Sequence, residues 1–287
     1  MNAMNYQQLW RQLLYIYDEG EAKAIARLVF EVRFGLTMSD VLMGRDTDVP
    51  QAELQQIATR LLDNEPVQYV LGQTDFYGRT YHVEPGVLIP RPETEELCRL
   101  IIEDDRTRQR SQPTDTTPIR QVLDIGTGSG CIAITLATEL PQVAVSAWDI
   151  SPIALRVATE NARQLGVSVS FKEHDMLTQH YCVAPQWHLI VSNPPYICDS
   201  EADAMSANVL DYEPEIALFV PDDDPLRFYG PIMNYAQSAL YSGGMLWLET
   251  NPLYEEWIEE RLLELGFEDV QGIDDQFGKT RFIKAIR

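Results

Sequence analysis

The chain is expected to fold as an α/β protein: a parallel sheet covered by helices on both faces, preceded by a small helical domain and a β-hairpin. Three observations carry this expectation. From Gln121 onward, short apolar runs alternate with helix-favouring stretches, which is the rhythm of a parallel sheet buried on both sides. The first of these runs ends in Gly126-Thr127-Gly128-Ser129-Gly130, glycines placed where a strand turns into a helix. Residues 4–34 and 50–63, in contrast, carry apolar positions at helical spacing.

Taken in order, Leu9, Leu13, Ile16 and Tyr17 mark one helix, and Ala24, Ile25, Leu28 and Val29 mark another after the break Asp18-Glu19-Gly20. A third runs over 50–63 through Leu54, Ile57, Ala58, Leu61 and Leu62, with Pro50 as its first residue. Gln73–Tyr77 and Tyr81–Val83, separated by Gly78-Arg79, form a hairpin. A helix begins near Pro92 and fades into Asp104–Arg120, whose polarity and two prolines, Pro113 and Pro118, suggest a surface linker. Strands are then expected over Gln121–Ile125, Val143–Trp148, Val167–Phe171, Trp187–Val191, Gly243–Leu248 and Phe282–Ile286. Helices between them cover Ile132–Leu140, Pro152–Leu165, about Pro225–Leu240 and Leu253–Leu265, the second and last of these stopped by Gly166 and Gly266.

Composition narrows the function. The 287 residues include 45% hydrophobic ones, enough for substantial cores, and 22 basic residues face 44 acidic ones. The net charge is −5 over residues 1–84 and −17 over 85–287. Such a surface repels phosphate backbones, so stable nucleic-acid binding is not expected. Arg106, Arg108 and Arg110 come nearest to a basic cluster, and they fall in the expected linker. Cys98, Cys131, Cys182 and Cys198 show no C-x-x-C spacing, which suits a reducing cytoplasm. His82, His174, His180 and His188 lack zinc-ligand spacing, so no metal is expected. Neither a signal peptide nor an apolar run long enough for a membrane span is visible, and the expected location is cytoplasmic.

The chemistry gathers at the C-terminal tips of the expected strands, the edge where open α/β sheets bind ligands. The first tip carries Asp124 and the glycine turn. A dinucleotide fingerprint counted from Gly126 would need a further glycine where Cys131 stands, so pyrophosphate binding loses ground. The second tip carries Asp149, an acceptor for the two hydroxyls of a ribose, and the third carries Asp175-Met176, an acid and a thioether suited to an adenine. The fourth carries Asn193-Pro194-Pro195-Tyr196. The Asn oxygen and a proline-freed carbonyl make two acceptors for a planar –NH2 group, which Tyr196 can cover.

This set resembles the class I S-adenosylmethionine-dependent methyltransferases that modify planar amino groups. More narrowly, Leu88–Glu95, Val191–Ile197, Tyr212–Leu218 and Leu246–Glu249 are similar to the bacterial peptide chain release factor glutamine methyltransferases. The resemblance covers essentially the whole chain, and Ile89-Pro90-Arg91-Pro92-Glu93-Thr94-Glu95 is its most specific block. It implies a Rossmann-like, seven-stranded sheet, with residues 1–70 as a helical substrate-recognition domain, 71–91 as a hairpin connector and 92–287 as the methyltransferase domain. It further implies S-adenosyl-L-methionine as methyl donor, S-adenosyl-L-homocysteine as product and class 1 peptide chain release factors as partners. Gly126, Thr127, Gly128, Ser129 and Gly130 would line the methionine part of the cofactor, Asp149 would bind its ribose, and Asp175 with Met176 its adenine. Asn193, Pro194, Pro195 and Tyr196 would hold the substrate glutamine, with Asn193 also next to the cofactor.

Two positions depart from the family's pattern. Met176 stands where relatives can carry an aromatic residue, and Phe219–Asp224 lacks the glycines expected after Ala217-Leu218. The competing readings are methylation of an exocyclic amino group of adenine or cytosine, methylation of a ribosomal-protein glutamine, and a cofactor-binding module without turnover.

Overall fold

A computed structural model describes residues 4–111, 119–178 and 184–287, with no side-chain detail for 109–111. His180, Cys182, Pro113 and Pro118 therefore lie outside the described residues. The chain forms two compact units, one comprising Met1–Gln73 and Met205–Glu213, the other Thr74–Ala204 and Pro214–Arg287.

The first unit is helical: α1 (Tyr6–Leu13), α2 (Glu19–Phe34), α3 (Met38–Leu42), α4 (Gln51–Leu62) and α5 (Val67–Leu71). Asn5 opens α1 with a capping box: its side chain accepts from the Gln8 N–H, and the Gln8 side chain accepts from the Asn5 N–H. Asp18 caps α2, and Gly35 ends it in the left-handed conformation. The buried stripe of α2 is Ala22, Ile25, Ala26, Val29 and Phe30, whereas Ala24 faces outward. The expectation for Ala24 fails because its neighbours' apolar content allows two phases of the same period, and tertiary packing selects one. The unit also claims a distant helical turn. Its Tyr212 hydroxyl donates to the Asp63 carbonyl at 2.7 Å.

The second unit starts one residue into the hairpin strand β1 (Gln73–Phe76) and continues with β2 (Arg79–His82) and the long helix α6 (Pro92–Ser111). Six pieces follow: β3 (Arg120–Ile125), α7 (Cys131–Glu139), β4 (Val143–Asp149), α8 (Pro152–Leu165), β5 (Val169–Glu173) and β6 (Trp187–Ser192). Beyond these come β7 (Ile197–Cys198), α9 (Ala207–Tyr212, the turn claimed by the first unit), β8 (Phe219–Val220) and α10 (Tyr229–Ala239). The chain ends in β9 (Leu240–Glu249), α11 (Glu255–Glu264), β10 (Glu268–Asp274) and β11 (Thr280–Ile286). The main sheet has seven strands in the order β10-β11-β9-β6-β3-β4-β5, and only β11 runs antiparallel to the rest, so its pairings with β9 and β10 are the two antiparallel ones.

Two expectations are corrected here. Asp104–Ser111 continues α6 rather than forming a linker. The apolar stripe Leu97, Cys98, Ile101, Ile102 gives way at the next inward position to Asp105, buried and paired with Arg120, so the helical period persists without a hydrophobe. Arg106 and Arg108 therefore sit on a helix, facing Glu139 and Asp104, and Arg110 falls within the same span. The seventh strand, β10, went unmarked among the expected apolar runs because it is an edge strand, mostly exposed and interrupted by a register shift.

Strand parity decides which face each residue reaches. Along β3, Val122 packs into the core beneath α6 and α7, and Leu123 and Ile125 into the core beneath α10 and α11. Along β9, Met245 and Trp247 join the first core, and Leu246 and Leu248 the second. The next residue, Glu249, accordingly turns to the α6 side.

Candidate active site

The strand order reverses at β3: the chain runs out through β4 and β5, then returns to place β6 on the other side. At such a switch point the loops leaving neighbouring strands diverge and open a crevice. Ile125 is paired with both Trp148 and Ser192, so the tips of β3, β4 and β6 end at one level. A cavity of about 460 Å³ opens there.

Its wall joins most of the residues singled out from the sequence: Gly126–Ser129, Asp149, Asp175, Met176 and Asn193–Pro195. Gly126 has φ +75°, and a Cβ there would lie 4.0 Å from the Asn193 carbonyl oxygen, so the β3 and β6 tips are near neighbours. Two expected residues stand elsewhere. Gly130 is absent from the wall, and a Cβ on it would come within 3.0 Å of the Ala158 Cβ, so its glycine serves the packing of α7 on α8. The Tyr196 ring also lies off the wall, packed beside the second core, with its hydroxyl donating to Glu249 at 3.1 Å.

Carboxylates hold the glycine turn. Asp149 Oδ2 accepts from the Gly128 N–H at 2.8 Å, and its Oδ1 accepts from the Ser151 N–H at 2.9 Å. Each oxygen keeps a second acceptor position for an incoming hydroxyl. Burial pushes the Asp149 carboxyl up, and the N–H groups of Ser151 and Gly128 pull it partly back. Asp124, fully buried, accepts from the Thr127 hydroxyl at 2.6 Å and the Ala133 N–H at 3.2 Å, pinning the turn to the start of α7. Desolvation raises its carboxyl to about 7.

Beyond the tip of β5, Met176 is buried in the same core cluster as Trp148, Trp187 and Ile125, and Asp175 Oδ1 accepts from the Leu177 N–H at 2.9 Å. His174 joins the wall, its ring 4.1 Å from that of Trp148. The segment 219–224 keeps its shape without glycines. Its first residues pair in parallel with Ile197-Cys198, and Asp222 accepts from the Ser200 N–H and hydroxyl at 3.0 and 2.7 Å.

Residues that the sequence reading left without a role complete the site. Thr94, in the first turn of α6, accepts from Asn193 Nδ2 at 3.0 Å and donates to Glu249 Oε2 at 2.8 Å. Glu249 is buried, and desolvation raises its carboxyl to about 7 against the pull of Thr94 and Tyr196. Asn161 of α8 donates to the carbonyls of His82 and Ser129 and accepts from the His82 N–H, tying the hairpin to the glycine turn. The signals for Thr94 and Glu249 were the family-like blocks that contain them; Asn161 had none.

The chain matches the PrmC N-terminal domain over residues 7–72 and the Methyltransferase small domain over 111–211. A release factor glutamine methyltransferase from Bacteroides thetaiotaomicron is 44% identical over 276 residues, with 95% of each chain covered. The chain belongs to the release factor glutamine methyltransferase family. The family's protein from Flavobacterium psychrophilum is 37% identical, with 99% of each chain covered. Among solved structures, the 16S rRNA N2 G1207 methyltransferase of Thermus thermophilus, in complex with AdoMet and guanosine, has a TM-score of 0.50 at 19% identity. That alignment covers 75% of this chain and 49% of the other, and is evidence of the fold alone. Family membership makes the chain an S-adenosylmethionine-dependent methyltransferase. Among the described residues no group of three or more metal-ligating side chains occurs, and no helix is long and apolar enough to cross a membrane.

Proposed function

We propose that the chain methylates the side-chain amide nitrogen of the glutamine in the Gly-Gly-Gln loop of class 1 peptide chain release factors. Residues 1–70 and the 71–91 hairpin would hold the factor's body, and the cavity of the second unit would carry the chemistry. The observation that carries this reading is the shared wall on which Asn193 and the Gly126–Ser129 turn lie beside Asp149. The residues present suit S-adenosylmethionine. The turn offers backbone without side chains at Gly126 and Gly128, Asp149 offers acceptors for a ribose, and Met176 and Asp175 offer an apolar surface and an acceptor for adenine.

Bound S-adenosylmethionine supplies a methyl group already activated by its sulfonium. A carboxamide nitrogen is a poor nucleophile because its lone pair is shared with the carbonyl, so the chain's contribution is placement. Asn193 Oδ1 and the Pro194 carbonyl would accept the two amide hydrogens, aim the nitrogen and stabilise positive charge as it develops there. Positioning of this kind can supply up to about 7–11 kcal/mol of the barrier. The net charge of −17 over residues 85–287 favours a protein substrate over a nucleic acid.

The test is incubation with methyl-labelled S-adenosylmethionine and either a release factor or nucleic acid. The expected result is label on the Gly-Gly-Gln glutamine, found as N5-methylglutamine by mass spectrometry. Label on nucleic acid alone, or on neither, would overturn the reading.

A further inference from the structure

The Asn193 carboxamide has two ends of similar shape, and only its oxygen end can accept a hydrogen from a substrate amide. Its orientation is therefore a chemical requirement, and the neighbouring groups impose it. Once ionised, as it is above about pH 7, Glu249 has acceptors only, so the single Thr94 proton is drawn to Oε2 and the Tyr196 proton to Oε1. Thr94 Oγ1 is left with lone pairs toward Asn193, and only the NH2 end can meet them, as the 3.0 Å contact from Nδ2 records. A donor polarity set in the core thus runs outward to the cavity wall, where Thr94 and Asn193 both stand.

We propose that Thr94 and Glu249 are positioning residues: the buried Glu249 carboxylate orients the Thr94 hydroxyl, which holds the Asn193 carboxamide with its oxygen toward the substrate. This inference rests on the role given to Asn193 above. The burial of Glu249 fits it, since a group this deep in the core is kept polar only at a cost. So does the parity of β9, which brings Glu249 beneath α6 across 155 residues of sequence.

The experiment compares Thr94→Val, Thr94→Ser and Glu249→Gln with the parent chain, using kcat at saturating release factor, KM for the factor, and calorimetric affinity for S-adenosylmethionine. Valine keeps the shape of threonine without its hydroxyl, so Thr94→Val should lower kcat roughly tenfold. Cofactor affinity and KM should stay within about threefold, because the loss belongs to the reacting geometry. Thr94→Ser, which restores the hydroxyl, should recover most of the loss. Glu249→Gln introduces a donor, lets the Thr94 proton point either way, and should reduce kcat several-fold with the same unchanged affinity. Near-normal kcat in Thr94→Val, or equal losses in the serine and valine variants, would overturn the inference. A parallel Asn193→Ala variant separates the two layers: if it is inactive while Thr94→Val is normal, only this inference fails, and if it is active, the underlying reading fails as well.

Discussion

The two strand tips that meet at the switch point are built differently. The tip of β3 presents backbone: Gly126 and Gly128 bring main chain to the cavity, and carboxylates behind it, Asp124 and Asp149, grip that main chain. The tip of β6 presents a side chain, Asn193, whose aim depends on hydroxyls and a carboxylate from elsewhere in the chain. A backbone cradle suits a ligand with many atoms to hold, whereas a single amide suits one nitrogen that must be pointed. Under this reading, damage to the first tip weakens binding and damage to the second slows reaction.

That division can be broken most directly at Asn193. Asn193→Ala should lower kcat by about 10²–10³, by analogy with loss of a donor to a developing charge of the opposite sign, while calorimetric affinity for S-adenosylmethionine changes little. A parallel loss of affinity would mean that the β6 tip binds as much as it aims. Behind the β3 tip, at the end of β4, Asp149→Ala should weaken S-adenosylmethionine binding by roughly 10–100-fold through loss of charge-assisted hydrogen bonds to hydroxyls. kcat at saturating cofactor should then remain close to normal, and unchanged affinity would remove Asp149 from the ribose.

A double substitution sharpens the account of orientation. A carboxylate at position 193 has two equal oxygens and needs no orienting partner, so Asn193→Asp alone should be slow but measurable. Adding Thr94→Val to it should cost less than about threefold, although the same change in the parent chain costs roughly tenfold. Equal costs in both backgrounds would show that Thr94 supports the fold and not the aim.

The smallest effect is in stability. Burial raises both Asp124 and Glu249 to about 7 from ordinary carboxylate values, so between about pH 4 and 7 the folded chain holds protons that the unfolded chain has released. Their contribution is fully present below that window and is lost as pH rises through it, so the melting temperature should decline from pH 5 to pH 8. Glu249→Gln should flatten part of that decline. A steeper slope in the variant would contradict the assignment.

The sequence made the contiguous parts of the site legible, because a glycine turn, an acid at a strand end and Asn-Pro-Pro-Tyr each carry their chemistry within a few residues. Thr94, Glu249 and Asn161 were opaque for the opposite reason. Their partners lie 155, 99, 79 and 32 residues away, and an isolated Thr, Glu or Asn says nothing about what it will meet. The fold behaved similarly. Strands buried on both faces announced themselves, while β10 and the second half of α6 did not, one being an exposed edge and the other replacing a hydrophobe with the Asp105–Arg120 pair. The place of the Tyr196 ring off the cavity wall was not legible either, because only the position of Glu249 reveals where its hydroxyl goes.

The alternation along β9 has a consequence for how this sequence can change. Because Leu248 and Glu249 address opposite layers, inserting or deleting one residue within that strand would swap a leucine under the α6 helix for the acid. A length change in a loop would leave that parity untouched, but within a strand such as β9 odd and even are not interchangeable. Substitutions, not indels, are the route by which evolution can retune this end of the pocket.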